Sequence, residues 1–154
     1  MDLSDLIGPD GIIACLKATS KKQALQQLSD HAAGLTGISE RNIFEILLAR
    51  ERLGSTGVGR GVAIPHGRLG ELDRIVGVFA RTSAPLDFEA LDEQPVDLLF
   101  LLLVPEGSGA DHLKALARIA RVLRDEAKAE KIRATEHASG IYSLLTGEAR
   151  PDAA

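Results

Sequence analysis

The chain has 154 residues and a formal net charge of −4, from 18 Lys+Arg against 22 Asp+Glu. One domain suits that length, and a composition 45% hydrophobic and 26% charged is that of a globular protein rather than a disordered one. With 3% aromatics and an acidic balance it has neither the stacking platform nor the basic surface of a nucleic-acid binder, and its single cysteine excludes an internal disulfide.

The apolar period changes several times along the chain, which points to mixed α and β structure. Ile12 to Leu16, after Pro9-Asp10-Gly11, reads as a first strand, with Cys15 as a small core residue. Ser20 suits the N-cap of a helix running to about Leu35, with Gly34 and Gly37 marking its exit. Ser39 suits the cap of a second helix, on which Ile43, Ile46, Leu47, Arg50 and Leu53 recur at three- and four-residue steps until Gly54. A glycine-rich stretch, Gly54-Ser55-Thr56-Gly57-Val58-Gly59-Arg60-Gly61, leads to a short extended piece, Val62-Ala63-Ile64, stopped by Pro65.

Ile75 to Ala80 reads as a strand and Val96 to Val104 as another, nearly all apolar, as expected where helices cover both faces of a sheet. Its longest apolar run, Leu98 to Val104, is seven residues, far below the ~20 needed to span a membrane. Ser108 and Asp111 have capping-box spacing for a helix with Leu113, Leu116, Ala120 and Leu123 on one side. Helical pieces follow near 126–134 and 139–145, and Gly147 closes the domain, leaving 148–154 as a frayed tail. The expectation is one α/β domain over 1–147, with a mixed parallel and antiparallel sheet flanked by helices on both faces. The acidic start Met1-Asp2-Leu3-Ser4-Asp5 lacks the basic segment of a signal peptide, so a reducing, cytoplasmic setting is the default.

Clustered glycines let backbone N–H groups converge on an anion, though a set of tight turns explains them equally well. The P-loop ending Gly-Lys-Ser/Thr is absent, and the spacing G-x-x-G-x-G-x-G after a helix is not the dinucleotide fingerprint. Pro65-His66-Gly67 is more informative: proline fixes the backbone before an imidazole, and neutral imidazole is nucleophilic near neutral pH. Between Arg50 and Arg74 five arginines face Glu51, Glu71 and Asp73, a local +2 in a chain of −4. Guanidinium groups match phosphate oxygens through their planar fork; for Arg52 and Arg60 a solvated surface patch is the plainer reading. His112 falls in the first turn of its helix, where the positive helix end favours neutral imidazole, and by itself it reads as structural. His31 reads as a boundary residue and His137 as part of a polar connection. No metal-ligand spacing occurs, so neither metal nor cofactor is expected.

The stretch from Arg50 to Gly67, Arg50-Glu51-Arg52-Leu53-Gly54-Ser55-Thr56-Gly57-Val58-Gly59-Arg60-Gly61-Val62-Ala63-Ile64-Pro65-His66-Gly67, resembles the phosphorylation-site signature of the type 2 enzyme IIA domains of the phosphoenolpyruvate-dependent phosphotransferase system. Gln94 to Phe100 and His112-Leu113 extend the likeness over almost the whole chain. The resemblance implies a phosphotransferase component with a phosphohistidine intermediate. His66 would take a phosphoryl group from a phospho-HPr-type carrier, His112 would be the second site histidine and Arg50 the site arginine. Ser55, Thr56, Gly57, Gly59 and Gly61 would offer donors to the phosphoryl oxygens. Pro-His-Gly is more like the nitrogen-regulatory members, which act on regulatory target proteins according to phosphorylation state. The alternatives are a fructose- or mannitol-specific IIA component that passes phosphate to a separate IIB protein, and a module that holds an anion without covalent chemistry.

Overall fold

The computed structural model describes residues 2–147; the tail expected at 148–154 lies outside the described residues. Two short 3-10 turns (Leu3–Asp5 and Pro9–Gly11) lead into β1 (Ile12–Leu16). Then come α1 (Lys21–Thr36), α2 (Glu40–Arg52), β2 (Gly57–Gly59), β3 (Val62–Ala63), β4 (His66–Leu69), β5 (Val76–Leu86), β6 (Val96–Pro105), α3 (Ala110–Leu123), α4 (Glu126–Arg133) and α5 (Ala138–Thr146).

The sheet is mixed, as expected, with order β1-β5-β6-β3-β2 and β4 also on β6. β3 and β4 run parallel to β6 as one line interrupted at Ile64-Pro65, from Val62 opposite Leu98 to Leu69 opposite Pro105. β5 is antiparallel to β6, and β1 is parallel to β5. Side chains alternate across a strand, so β6 feeds both cores. Leu99, Leu101 and Leu103 join Leu25, Leu28, Ile43 and Leu47 of α1 and α2. Leu98, Phe100, Leu102 and Val104 join Ala115, Ile119, Ile132 and Ile141 of α3 to α5. Each such side chain contributes about 1.5–3 kcal/mol on burial. This is why β6 tolerates helices on both faces and carries an unbroken apolar run.

The caps explain the helix starts. Ser20 accepts from the Gln23 N–H and Ser39 from the Asn42 N–H, each satisfying one of the first-turn donors. Gly37, in the left-handed region, ends α1; Gly34 lies inside the helix.

Several expectations change. Cys15 is exposed, because β1 is an edge strand with one face half covered. Ser108 does not cap α3: its hydroxyl turns back to the Pro105 carbonyl and Gly109 takes the cap position. The buried face of α3 is His112, Ala115, Ile119 and Leu123, which leaves Leu113 69% exposed. Leu53 likewise points outward at the end of α2, 85% exposed. β5 runs beyond Ala80 because Thr82 pairs with Leu16 and Leu86 with Val96, extending a polar stretch that periodicity alone ends early.

Candidate phosphoryl-transfer site

The site forms where the last turn of α2, the free edge of β4 and the first turn of α3 meet. Pro65 breaks the β3–β4 line but keeps its place: its carbonyl accepts from the Leu102 N–H. His66 opens β4 opposite Leu102, partly exposed. Gly67 is required by packing: a Cβ there would overlap Ile46 Cγ2 of α2. The missing side chain lets α2 close on the strand, one helical turn before Arg50.

His66 Nδ1 is 2.8 Å from the Ile64 carbonyl oxygen. A carbonyl only accepts, so Nδ1 carries the proton and Nε2 carries the lone pair. Arg50 Nε lies 3.4 Å from that Nε2, and Arg50 Nη1 donates to the Gly54 carbonyl at 2.9 Å. Burial lowers the His66 pKa below its ordinary 6.5 and the Arg50 charge adds to this, against the Ile64 hydrogen bond and Glu51, which favour the proton. The imidazole is thus held neutral and nucleophilic.

His112 is buried and packs edge-to-face on His66, with ring centroids 5.4 Å apart and planes at 70°. Its Nδ1 faces Arg68 Nε at 3.4 Å, and its Nε2 has no hydrogen-bond partner among the described residues. Burial lowers the His112 pKa, helped by His66 and Arg68. Arg68 is the site-lining residue that sequence reading left in a general basic patch. The signal was available: His66 and Arg68 are two apart in a strand and therefore share a face.

The glycine-rich stretch forms tight turns, one of the two readings its glycines allow. It is a hairpin in which β2 pairs antiparallel with β3 and Thr56 O accepts from the Ile64 N–H. Several of its polar groups already have partners. Ser55 Oγ donates to the Phe88 carbonyl and accepts from the Gly57 N–H. The Thr56 hydroxyl and N–H both donate to the Glu51 carboxylate. Gly59 and Gly61 turn the hairpin tip beside Asp92, Asp97 and Arg133. That tip is at the Leu98 end of the parallel pairing, whereas His66 is opposite Leu102, about 13 Å further along at 3.3 Å per residue. The side chains gathered at His66 are those of Arg50, Arg68 and His112.

Behind Thr56, Glu51 is buried and paired with Lys21 Nζ at 2.6 Å, and Lys21 also caps the Phe88 ring at 4.9 Å. This buried ionic cluster ties α1, α2 and the start of the hairpin together. Arg60 remains a surface residue, its guanidinium on Glu126 at 3.1 Å. His31 bonds the Asp10 carbonyl and His137 sits exposed before α5, both away from the site.

Residues 5–147 match the family described as phosphoenolpyruvate-dependent sugar phosphotransferase system, EIIA 2. The chain belongs to the EIIA type 2 family. Among EIIA relatives, a nitrogen regulatory protein of Bradyrhizobium diazoefficiens is 61% identical over 145 residues, covering 94% of this chain and 95% of that one. A fructose-specific EIIA component of Haloferax volcanii is 34% identical, covering 94% of this chain and 97% of that one. The crystal structure of the nitrogen regulatory protein IIA-Ntr from Neisseria meningitidis superposes with a TM-score of 0.89 at 35% identity, over 94% of this chain and 99% of that one. The fold, five helices among the described residues and a mixed open sheet, is therefore that of IIA-Ntr. No helix among the described residues is long and apolar enough to cross a membrane.

Proposed function

We propose that this EIIA protein is a regulatory phosphocarrier that accepts a phosphoryl group on His66 Nε2 from a phosphorylated HPr-type carrier. The observation that carries this reading is the His66 ring itself: Nδ1–H fixed on the Ile64 carbonyl, Nε2 turned to Arg50. In the transfer the N–P bond of the donor histidine breaks and its electron pair stays on the donor ring. The His66 Nε2 lone pair forms the new N–P bond, and the proton stays on Nδ1, hydrogen-bonded to the Ile64 carbonyl. Charge spreads over the equatorial oxygens of a loose transition state, so catalysis is positioning and electrostatics. Arg50 and the buried ring of His112 are the donors for those oxygens. Leu53 and Leu113, exposed next to the site elements, supply apolar contact for the docking carrier.

The phosphoryl group adds about −1.5 to −2 charge. Set against the local +2 around His66, this cancels most or all of the site's positive charge, and so changes which nitrogen- or potassium-control proteins it binds. The reading as a cytoplasmic regulator rests on the higher identity to the nitrogen regulatory relative. The fructose-specific relative favours a second reading, in which phosphate passes to a separate IIB protein.

Incubation with enzyme I, an HPr-type carrier and phosphoenolpyruvate, followed by intact-mass analysis, tests the carrier step. One acid-labile phosphoryl group is expected, absent in His66→Ala; modification persisting in that variant overturns it. Rapid dephosphorylation by a IIB domain with sugar phosphate formed selects the sugar-transport reading instead.

A further inference from the structure

The pairing of Arg68 with His112 deepens the carrier reading and rests on it. Arg68 and His66 project from the same face of β4, and Arg68 reaches the buried ring of His112 at Nδ1. A guanidinium keeps all its protons at any accessible pH and has no acceptor. The ring nitrogen facing it must therefore offer a lone pair. A neutral imidazole has one N–H, and with Nδ1 unprotonated that hydrogen is on Nε2, the atom that finds no acceptor among the described residues. The ring lies edge-to-face against His66, where the phosphoryl oxygens arrive.

We propose that Arg68 is a positioning residue that locks His112 in the Nε2–H tautomer, so that this histidine meets the phosphoryl group as a hydrogen-bond donor and never as a lone pair. The two histidines then hold opposite tautomers: His66 protonated at Nδ1 with a nucleophilic Nε2, His112 protonated at Nε2. One backbone carbonyl sets the first and one permanent cation sets the second. Only this combination gives one nucleophile and one donor; the reverse tautomer of His112 would aim a lone pair at anionic oxygens.

Long-range 15N NMR of the imidazole rings tests this on the unphosphorylated protein. The expected pattern is a pyridine-type Nδ1 and pyrrole-type Nε2 for His112, retained in Arg68→Lys, which keeps a permanent donor. Arg68→Glu puts an acceptor-only group at the same place and moves the His112 proton to Nδ1. Should Arg68→Glu fail to fold, Arg68→Gln, uncharged and able to accept, gives a mixture of the two tautomers. Phosphoryl acceptance falls by roughly 100-fold in the Glu variant, the scale of losing one transition-state donor, and recovers to within roughly tenfold of wild type in the Lys variant. An Nδ1–H His112 in the wild type, or an unchanged Nε2–H tautomer in the folded Glu or Gln variant, overturns the proposal. The tautomers are read without phosphate. A wild type that takes no phosphoryl group from competent donors, yet shows the expected tautomers, therefore defeats the carrier reading and leaves this inference standing.

Discussion

The His66 ring is held between the Ile64 carbonyl at Nδ1 and the Arg50 guanidinium at Nε2, and it packs against His112. Arg50 places a positive charge against Nε2, which disfavours the imidazolium form. In an NMR titration of the ring, His66 is expected to titrate below its ordinary 6.5, and Arg50→Gln should move the midpoint upward. A midpoint unmoved by Arg50→Gln would mean that burial alone depresses it. The same variant should slow phosphoryl acceptance by about 100-fold, the usual cost of one lost electrostatic donor, while changing stability by less than about 1 kcal/mol, because Arg50 is half exposed. Stopped-time mass analysis and a urea melt separate the two effects. At this scale the sequence made His66, His112 and Arg50 legible through the Pro-His-Gly motif and the family signature. The partners that set their protonation were harder to read: the i, i+2 spacing puts Arg68 on the face of His66, but neither its reach to His112 nor the Ile64 carbonyl's contact with Nδ1 follows from spacing.

Elements matter here through two tight contacts that hold α2 in place. Gly67→Ala would drive its Cβ into Ile46 Cγ2 and force α2 off β4, moving Arg50 one turn further along. A destabilisation of about 1–3 kcal/mol is expected for such overpacking, with slower phosphoryl acceptance. Adding Ile46→Ala should return part of both losses, and a double-mutant cycle showing strict additivity would refute the contact. Glu51 ties the other side of α2 to Lys21 and Thr56. Glu51→Ala leaves Lys21 largely buried without its partner and should cost about 3 kcal/mol in a denaturant melt. Arg41→Ala, which breaks the exposed Arg41–Glu45 pair, should cost less than about 0.5 kcal/mol. Helix starts were readable because Ser20 and Ser39 are real caps, whereas Ser108 has the right spacing and a different partner. The sequence leaves the hairpin open between two readings for a physical reason: glycines at alternate places serve a tight two-strand turn as well as an anion cradle. The choice depends on where the N–H groups go. Here Glu51, Ser55 and Asp92 take those of Thr56, Gly57 and Arg60.

The whole molecule couples the chemistry of the site to its stability. The architecture was legible because β6 is apolar at every position from Leu98 to Val104, and only a sheet covered on both faces buries such a strand. His66, on the edge of that sheet, and His112, in the first turn of α3, both have pKa values lowered by burial first. Each ring binds its proton less readily in the folded chain than in the unfolded one. As pH falls below about 6.5, the unfolded chain takes up protons first, so stability declines until the folded rings also protonate. Above pH ~7.5 both rings are neutral in both states, and stability should be flat with respect to them. Urea midpoints at pH 7.5 and pH 5.5 should therefore differ, with the lower pH less stable. In the double variant His66→Gln and His112→Gln the difference should shrink, because the groups that carry it are gone. If the double variant keeps the full wild-type difference, the pH dependence arises from carboxylates elsewhere. The two site histidines then fold without protonation strain.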